Sequence, residues 1–481
     1  MKPLLALFYC IIQGFWLPNV LWGQTTVWRL GQCIRYAQIN NLQIKQNRLN
    51  QELASEKVAY TQKDLYPTVQ LAVSPTLALG RSLDPTTYQY ATNGFVNNIV
   101  GLSMNQVVWA GGRKRNTHEQ SVLEEEIAIL QETRGMSQIA IQITQAYFQL
   151  LLNKVYLKNA ERQLAVSKEQ LAMVQQPLQG TKDPSYSVLE WQAQIANDEF
   201  ICMKYKNELK VAQLNLGTLL ALPDPLSLEV EEFLEERPDV KPNPKFKREF
   251  DLYYRLASWH PTTKIPQLNQ KIAALQYDAV NVSNLPTITL SAGLSLPFSS
   301  LFKEVEGTSL VRNDTVPVYS AGQLRLALSP SYEYSYKTTS LFSQWKQLAS
   351  VYVGFQITIP LVTGGMRKYQ LKQARLGIDN AQITMQAART EMYKEAVFTY
   401  NNVQAAISQK EAADKNMEVW KSYFESSLAR FQKNEITAKD FEMIKNNYFQ
   451  IQQNAEVARY DLLLKRKLYN YYATGDLAAF N

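Results

Sequence analysis

The sequence predicts a mixed α and β membrane protein in which very long coiled-coil helical hairpins alternate with four membrane-length β-strands. Three observations predict it. A strand-like stretch closed by Gly-Gly, Val353–Arg367, is repeated without a gap by Val100–Lys114, with the leading Val, the following Gly and both closing glycines preserved. Long proline-free segments carry apolar residues at helical spacing, as coiled coils do. Alternating segments of about ten residues suit tilted membrane strands, whereas no internal run reaches the roughly 18 apolar residues of a spanning helix.

Composition bounds the class. The chain has 481 residues, 46% hydrophobic and 19% charged, which suits a folded protein whose duplication implies two homologous halves. Residues 1–23 combine Lys2, the apolar stretch Leu4–Ile12 and a plausible cleavage point before Gln24, the pattern of a secretory signal. An uncleaved anchor is the competing reading, and Cys10 lies too early to be a lipidation site at that point. Of the remaining cysteines, Cys33 and Cys202 fall on separate helices and read as small buried residues rather than a disulfide. The formal charge of +7 is spread along the chain with no basic stripe, so nucleic acid is not an expected partner. His118 and His260 are the two histidines, and neither has metal-ligand spacing. Without a nucleophile elbow or phosphate loop, no enzyme, cofactor or metal site is expected.

The first repeat spans 24–222. Leu30 to about Asp64 reads as one helix, with Ile34, Ala37, Leu42, Leu49, Leu53 and Val58 punctuating polar positions, and Leu65-Tyr66-Pro67 stops it. Thr68–Gly80 and Phe95–Trp109 alternate as a strand pair, with Asn93-Gly94 the expected turn dipeptide between them. A helix then runs from about Lys114 to Gln176 with Ile139, Ile143, Ala146, Leu150, Leu157, Ala160, Leu164 and Leu171 on one seam. After a break at Pro177, Gly180 and Pro184, a second helix from about Ser187 to Leu222 returns along it.

Residues 223–266, rich in proline and mixed charge, form the expected connector, with a short helix near Phe250–Ala257. The second repeat, 267–472, follows the same plan. Leu268, Ile272, Ala273, Tyr277 and Pro286 echo Leu49, Leu53, Ala54, Val58 and Pro67. Thr287–Leu296 and Val351–Leu361 are its strands, separated by a long loop, 298–348, within which Gln323–Lys337 also alternates and leaves the strand assignment open. A helix without proline runs from Met366 to about Lys433, Lys433-Asn434-Glu435 turns the chain, and a return helix covers Thr437 to about Tyr472. Residues 473–481 form a C-terminal tail.

Four strands cannot close a barrel, and open edges are not tolerated in lipid because every backbone polar group there needs a partner. Several chains are therefore needed. Tyr66, Tyr88, Tyr90, Trp109, Tyr332, Tyr334, Tyr336, Trp345 and Tyr352 cluster near the expected strand ends, as interfacial belts do. A soluble sheet with aromatic packing is the competing reading, which helices this long and an export signal fit poorly.

Trp28–Ala37 with Asn40-Asn41, the strand entries Tyr66-Pro67-Thr68 and Leu285-Pro286-Thr287, the exit Pro360-Leu361 with Gly364-Gly365, and the hairpin ends Ser187–Ala193 and Ala429–Asp440 together resemble the TolC-like outer membrane efflux protein family over the mature length. The resemblance implies a homotrimer whose strands form one 12-stranded β-barrel in outer membrane lipid and whose helices form a periplasmic α-barrel. It implies a passive outer membrane channel, working with a periplasmic adaptor and an inner membrane pump in tripartite efflux or type I secretion. A periplasmic structural or adhesive coiled-coil protein without a pore is the alternative. By the same resemblance, Asp440 matches the first of two gate acids while the second falls on Met443, beside Glu442. Adaptor contacts are expected at the hairpin tips, at Lys182, Asp183, Ser185, Tyr186, Lys433, Asn434, Glu435 and Lys439. Gly111, Gly112, Gly364 and Gly365 are the expected hinges between barrel and tunnel.

Overall fold

The computed structural model describes residues 27–83, 90–175, 184–232, 249–433 and 435–480. The signal segment 1–23 lies outside them. Two compact units divide the chain: Met1–Ala54, Glu124–Lys271 and Asn380–Asn481 form the first, Ser55–Leu123 and Ile272–Asp379 the second.

The first unit is helical. Helix α1 (Leu30–Asn40) begins where the Arg29 backbone N–H donates to Gln32 Oε1 at 2.9 Å. The single helix expected over 30–64 is in fact two, because Asn41 leaves helical geometry and caps α2 (Leu42–Lys63). Its Oδ1 accepts from the N–H groups of Gln43 and Ile44, and its Nδ2 donates to the Leu219 carbonyl at 2.7 Å. Asparagine offers the backbone these local bonds in place of the helical ladder.

Helix α3 (Arg113–Gln175) has 63 residues, and at 1.5 Å per residue it is roughly 95 Å long. Helix α4 (Pro184–Leu220) returns beside it. Ile139, Ile143, Leu150 and Ala160 of the expected seam are buried, with Ala212 and Leu216 from α4. Ala146, Leu157, Leu164 and Leu171 are half-buried. Cys33 is buried in the same core, but Cys202 is only partly covered, so the expectation of two buried cysteines holds for one.

Within 223–266, helix α5 (Glu249–Trp259) precedes α6 (Pro261–Asn281), which contains Pro266. The expected boundary at 266 therefore falls inside a helix. The C-terminal tail is part of the core rather than an appendage. Gly475 ends the last helix in left-handed backbone, and Phe480, with no exposed surface, stacks on Tyr471 at 5.2 Å.

The second unit holds the strands. β1 (Thr68–Leu83), β2 (Tyr90–Trp109), β3 (Thr287–Ser299) and β6 (Ser350–Thr358) form an antiparallel sheet in the order β1-β2-β3-β6. β4 (Lys303–Ser320) and β5 (Gln323–Thr338) form a separate two-stranded sheet, followed by helix α7 (Leu341–Leu348). Two expectations are corrected. Asn93-Gly94 lies within β2, paired with Gly80 and Leu79, so the connection falls in 84–89, outside the described residues together with Tyr88. The loop expected over 298–348 is mostly β4, β5 and α7, so Tyr332, Tyr334 and Tyr336 stand on a hairpin and not at the ends of the main sheet.

Candidate functional site: a two-faced sheet and the end of the helical hairpins

Register decides which side chains share a face of the sheet, because directly opposed residues of an antiparallel pair point the same way. Val69, Met104, Ala292 and Val353 form one row across the four strands, and Leu71, Leu102, Leu294 and Val351 the next. The opposite face carries Thr68, Asn105, Ser291 and Gly354, then Gln70, Ser103, Gly293 and Tyr352. Ser291 Oγ bonds Asn105 Oδ1 across this face at 2.9 Å. One face is thus apolar across its whole width and the other polar, the segregation a membrane strand shows between lipid and lumen. Among the described residues, the edges β1 and β6 have no further partner strand within the chain.

At the helix-bearing end of the sheet, β2 passes a bulge between Val107 and Trp109, and Gly111 and Gly112 follow at φ +61° and +85° before α3 starts. β6 stops at Thr358, ahead of Pro360, and Gly364 and Gly365 follow at +58° and +81° before helix α8 (Met366–Gln432). Both pairs adopt left-handed backbone that costs other residues roughly 1–2 kcal/mol. Asp64 and Lys114 pair at 3.2 Å beside the first junction, and Thr61 Oγ1 lies 3.1 Å from His118 Nδ1.

The second hairpin turns between α8 and helix α9 (Ala438–Thr474). The Glu435 N–H donates to the Arg430 carbonyl and its carboxylate pairs with the Arg430 guanidinium at 3.5 Å. Thr437 caps α9: its hydroxyl oxygen accepts from the Asp440 N–H at 3.1 Å, and the hydroxyl donates to Asp440 Oδ2 at 2.6 Å. Asp440 is exposed, and its hydrogen bonds with Thr437 fix it in the first helical turn. Met443 is also exposed, while Glu442 is half-buried. Of the expected tip residues, Lys433, Glu435 and Lys439 lie at this turn. Ser185 and Tyr186 lie in the first turn of α4, and Lys182, Asp183 and Asn434 lie outside the described residues.

Behind the turn lies a group that the reading of the sequence missed. Lys445 has no exposed side-chain surface and Asp198 has 1%. Lys445 Nζ donates to Ser167 Oγ at 2.6 Å, the Ser167 hydroxyl donates to Asp198 Oδ2 at 2.5 Å, and Lys445 and Asp198 lie 3.6 Å apart. Gln163 and Gln194 both donate to Asp198 Oδ1, at 3.0 and 2.8 Å, and Gln163 also reaches Asn446. The ammonium stands 5.4 Å from the Trp191 ring. Desolvation holds the Lys445 pKa below its ordinary value, and Asp198 and Glu442 oppose that shift. The cluster ties α3 and α4 of the first hairpin to α9 of the second. Phe424, Phe431 and Phe441 stack beside it, with Phe431 and Phe441 4.7 Å apart. The signal was present: Ser167 interrupts the stripe between Leu164 and Leu171, and Lys445 is one residue after the buried Ile444 in α9.

Elsewhere in the helical unit a cavity of about 250 Å³ is lined by Arg134, His260, Glu391, Glu395, Tyr471 and Tyr472 among others. Burial, aided by Arg134, lowers the His260 pKa to about 4, so the ring is neutral and its Nδ1 accepts from the Thr262 N–H at 3.3 Å. Among the described residues no helix is long and apolar enough to cross a membrane, and no group of three His, Cys, Asp or Glu is placed to hold a metal ion.

An amphipathic sheet carried on long helical hairpins is the architecture of an outer membrane channel. The sequence profile described as outer membrane efflux protein matches residues 33–222 and 259–467, and the chain belongs to that family. It is 21% identical over 447 residues to outer membrane protein TolC of Escherichia coli (strain K12), covering 91% of this chain and 80% of that protein. Its fold resembles the outer membrane protein VceC of Vibrio cholerae, at 14% identity, TM-score 0.70, and 93% and 96% coverage of the two chains. It also resembles the Campylobacter jejuni CmeC outer membrane channel, at 14% identity, TM-score 0.72, and 93% and 85% coverage. The protein is an outer membrane channel of the tripartite efflux type, with a large periplasmic portion.

Proposed function

We propose that three copies of the chain close one 12-stranded barrel, that their helices form a periplasmic tunnel, and that cargo crosses it passively. The observation that carries this reading is the four-stranded sheet, which has a polar and an apolar face but, among the described residues, leaves the edges β1 and β6 open. In lipid those edges need partners. β6 runs antiparallel to β1, so copies placed side by side can pair β6 to β1 and close the ring without a break. The apolar rows then face lipid and the polar rows line the pore. The inner membrane pump supplies the energy, and the periplasmic adaptor docks at the hairpin tips through residues such as Lys433, Glu435 and Lys439. Gly111, Gly112, Gly364 and Gly365 let strand turn into helix at the border between barrel and tunnel, and Asp440 side chains from three copies narrow the tunnel end. The first test is purification in detergent. A heat-modifiable oligomer that conducts ions in planar bilayers is expected, and a soluble monomer would sink the reading.

A further inference from the structure

The β4–β5 hairpin has no place in a four-stranded contribution to a barrel. It turns at Ala321 and Gly322, both in left-handed backbone, and pairs from Lys303↔Thr338 to Ser320↔Gln323. Alternation along β5 puts Leu324, Leu326, Leu328, Tyr332, Tyr334 and Tyr336 on one face, all exposed in the single chain. Arg325, Ser329, Ser331 and Glu333 take the other face. An isolated two-stranded hairpin is marginal in water, and one with a bare leucine and tyrosine face needs a cover.

What covers it follows from its chemistry and its place. Lipid is excluded, because each strand of a two-stranded hairpin leaves one edge of unpaired backbone groups that hydrocarbon does not tolerate. A charged partner has little to hold, since residues 303–338 contain four basic and four acidic side chains. Arg312 pairs with Asp314 at 2.5 Å, and Lys337 with Glu306 at 3.7 Å. The hairpin stands between β3 and the edge strand β6, at the end of the sheet opposite the long helices α3 and α8 and beside the short α7, whose Gln344 bonds the Ser299 backbone. At that same end β1 and β2 project beyond β3. Their pairing continues to Leu83↔Tyr90, whereas β3 reaches only Asn97, and Leu77 and Leu79 are left exposed. In the closed ring, β6 of one copy lies beside β1 of the next.

We propose that the Leu324 to Tyr336 face of the β4–β5 hairpin is an interface between copies, packing against the projecting β1–β2 end of a second copy at the outer surface. The proposal rests on the assembly described above. It extends the contact between copies from the membrane sheet into an apolar collar around the outer mouth of the pore.

Single cysteines placed in the full-length protein on intact cells test it, read with a membrane-impermeant maleimide. Leu326→Cys and Tyr334→Cys are expected to react at least about 10-fold more slowly than Ser329→Cys and Ser331→Cys on the opposite face, since labelling follows thiol exposure. The double variant Leu79→Cys with Leu326→Cys is expected to form covalent dimers and higher species with a short bis-maleimide. Equal labelling of both faces would overturn the proposal, as would protection without crosslinks between copies, which would assign the cover to a different protein. Each variant is scored on the fraction that runs as a heat-modifiable oligomer. An oligomer with a free hairpin defeats this inference alone, and absence of any oligomer defeats the assembly beneath it.

Discussion

Lys445 shows what one buried charge demands of its surroundings. With its ammonium wholly covered, Asp198, Ser167 and the Trp191 face replace the water it gave up. Removing one member of such a pair leaves an uncompensated charge and typically costs about 3–5 kcal/mol, whereas an apolar replacement of both is close to neutral. Lys445→Met and Asp198→Asn are each expected to lower the thermal unfolding midpoint followed by circular dichroism. Lys445→Met combined with Asp198→Leu is expected to recover most of the loss; an additive loss would show that the two residues act separately. His260 makes a prediction of pH dependence. The folded chain holds it neutral down to about 4, while an ordinary imidazole binds its proton near 6.5. The unfolded chain therefore takes up the proton first on acidification. The contribution to stability is complete above pH 6.5 and is lost as pH falls toward 4. The limiting slope is about 1.4 kcal/mol per pH unit for one proton. Unfolding midpoints measured across that window should fall less steeply in His260→Asn, which keeps a side-chain acceptor at the head of α6.

At the scale of elements, β2 passes into α3 and β6 into α8 through glycines in a conformation other residues resist, and these two junctions differ in their surroundings. A Cβ on Gly111 would stand 3.0 Å from Leu285 Cδ1 and 3.3 Å from the Val282 carbonyl, whereas one on Gly365 would meet nothing within 4 Å. Gly365→Ala is thus expected to cost about 1 kcal/mol through backbone strain alone. Gly111→Ala should cost more, because strain and contact add. The temperature at which the oligomer is lost on gels checks the order, and equal shifts would contradict it. Most of these elements were legible in the sequence because their periods are local. Proline-free apolar stripes located α3, α4, α8 and α9 to within a few residues, and alternation found β1, β2, β3 and β6. Asn41 and Asn93-Gly94 misled for one reason: a turn-forming or capping side chain acts only if a partner is there. Asn41 found the Leu219 carbonyl and broke a helix, while Asn93 and Gly94 found β1 opposite and stayed in a strand.

For the whole molecule, closure is the governing requirement. A sheet with two open edges and one apolar face is stable in a membrane only as part of a ring, so in the proposed assembly the pore belongs to the ring and not to the single chain. The tunnel end follows the same logic. In a single chain Asp440 is a first-turn residue bound to the cap Thr437, and only in the proposed symmetric assembly would it form a ring of charge. Asp440→Ala is expected to weaken block by multivalent cations in planar bilayers while leaving oligomer formation intact. Unchanged block would remove Asp440 from the proposed constriction and leave it only as the hydrogen-bond partner of the cap Thr437.

The sequence by itself determined the helix and strand periods and the paired glycines that follow β2 and β6, since each is written in neighbouring residues. The tertiary structure decided which strands pair, which face of the sheet is polar, that β4 and β5 stand apart, that Phe480 enters the core and that Lys445 is buried against Asp198. Those features join residues far apart in the chain, and the free energy that selects them comes from partners local spacing does not reveal.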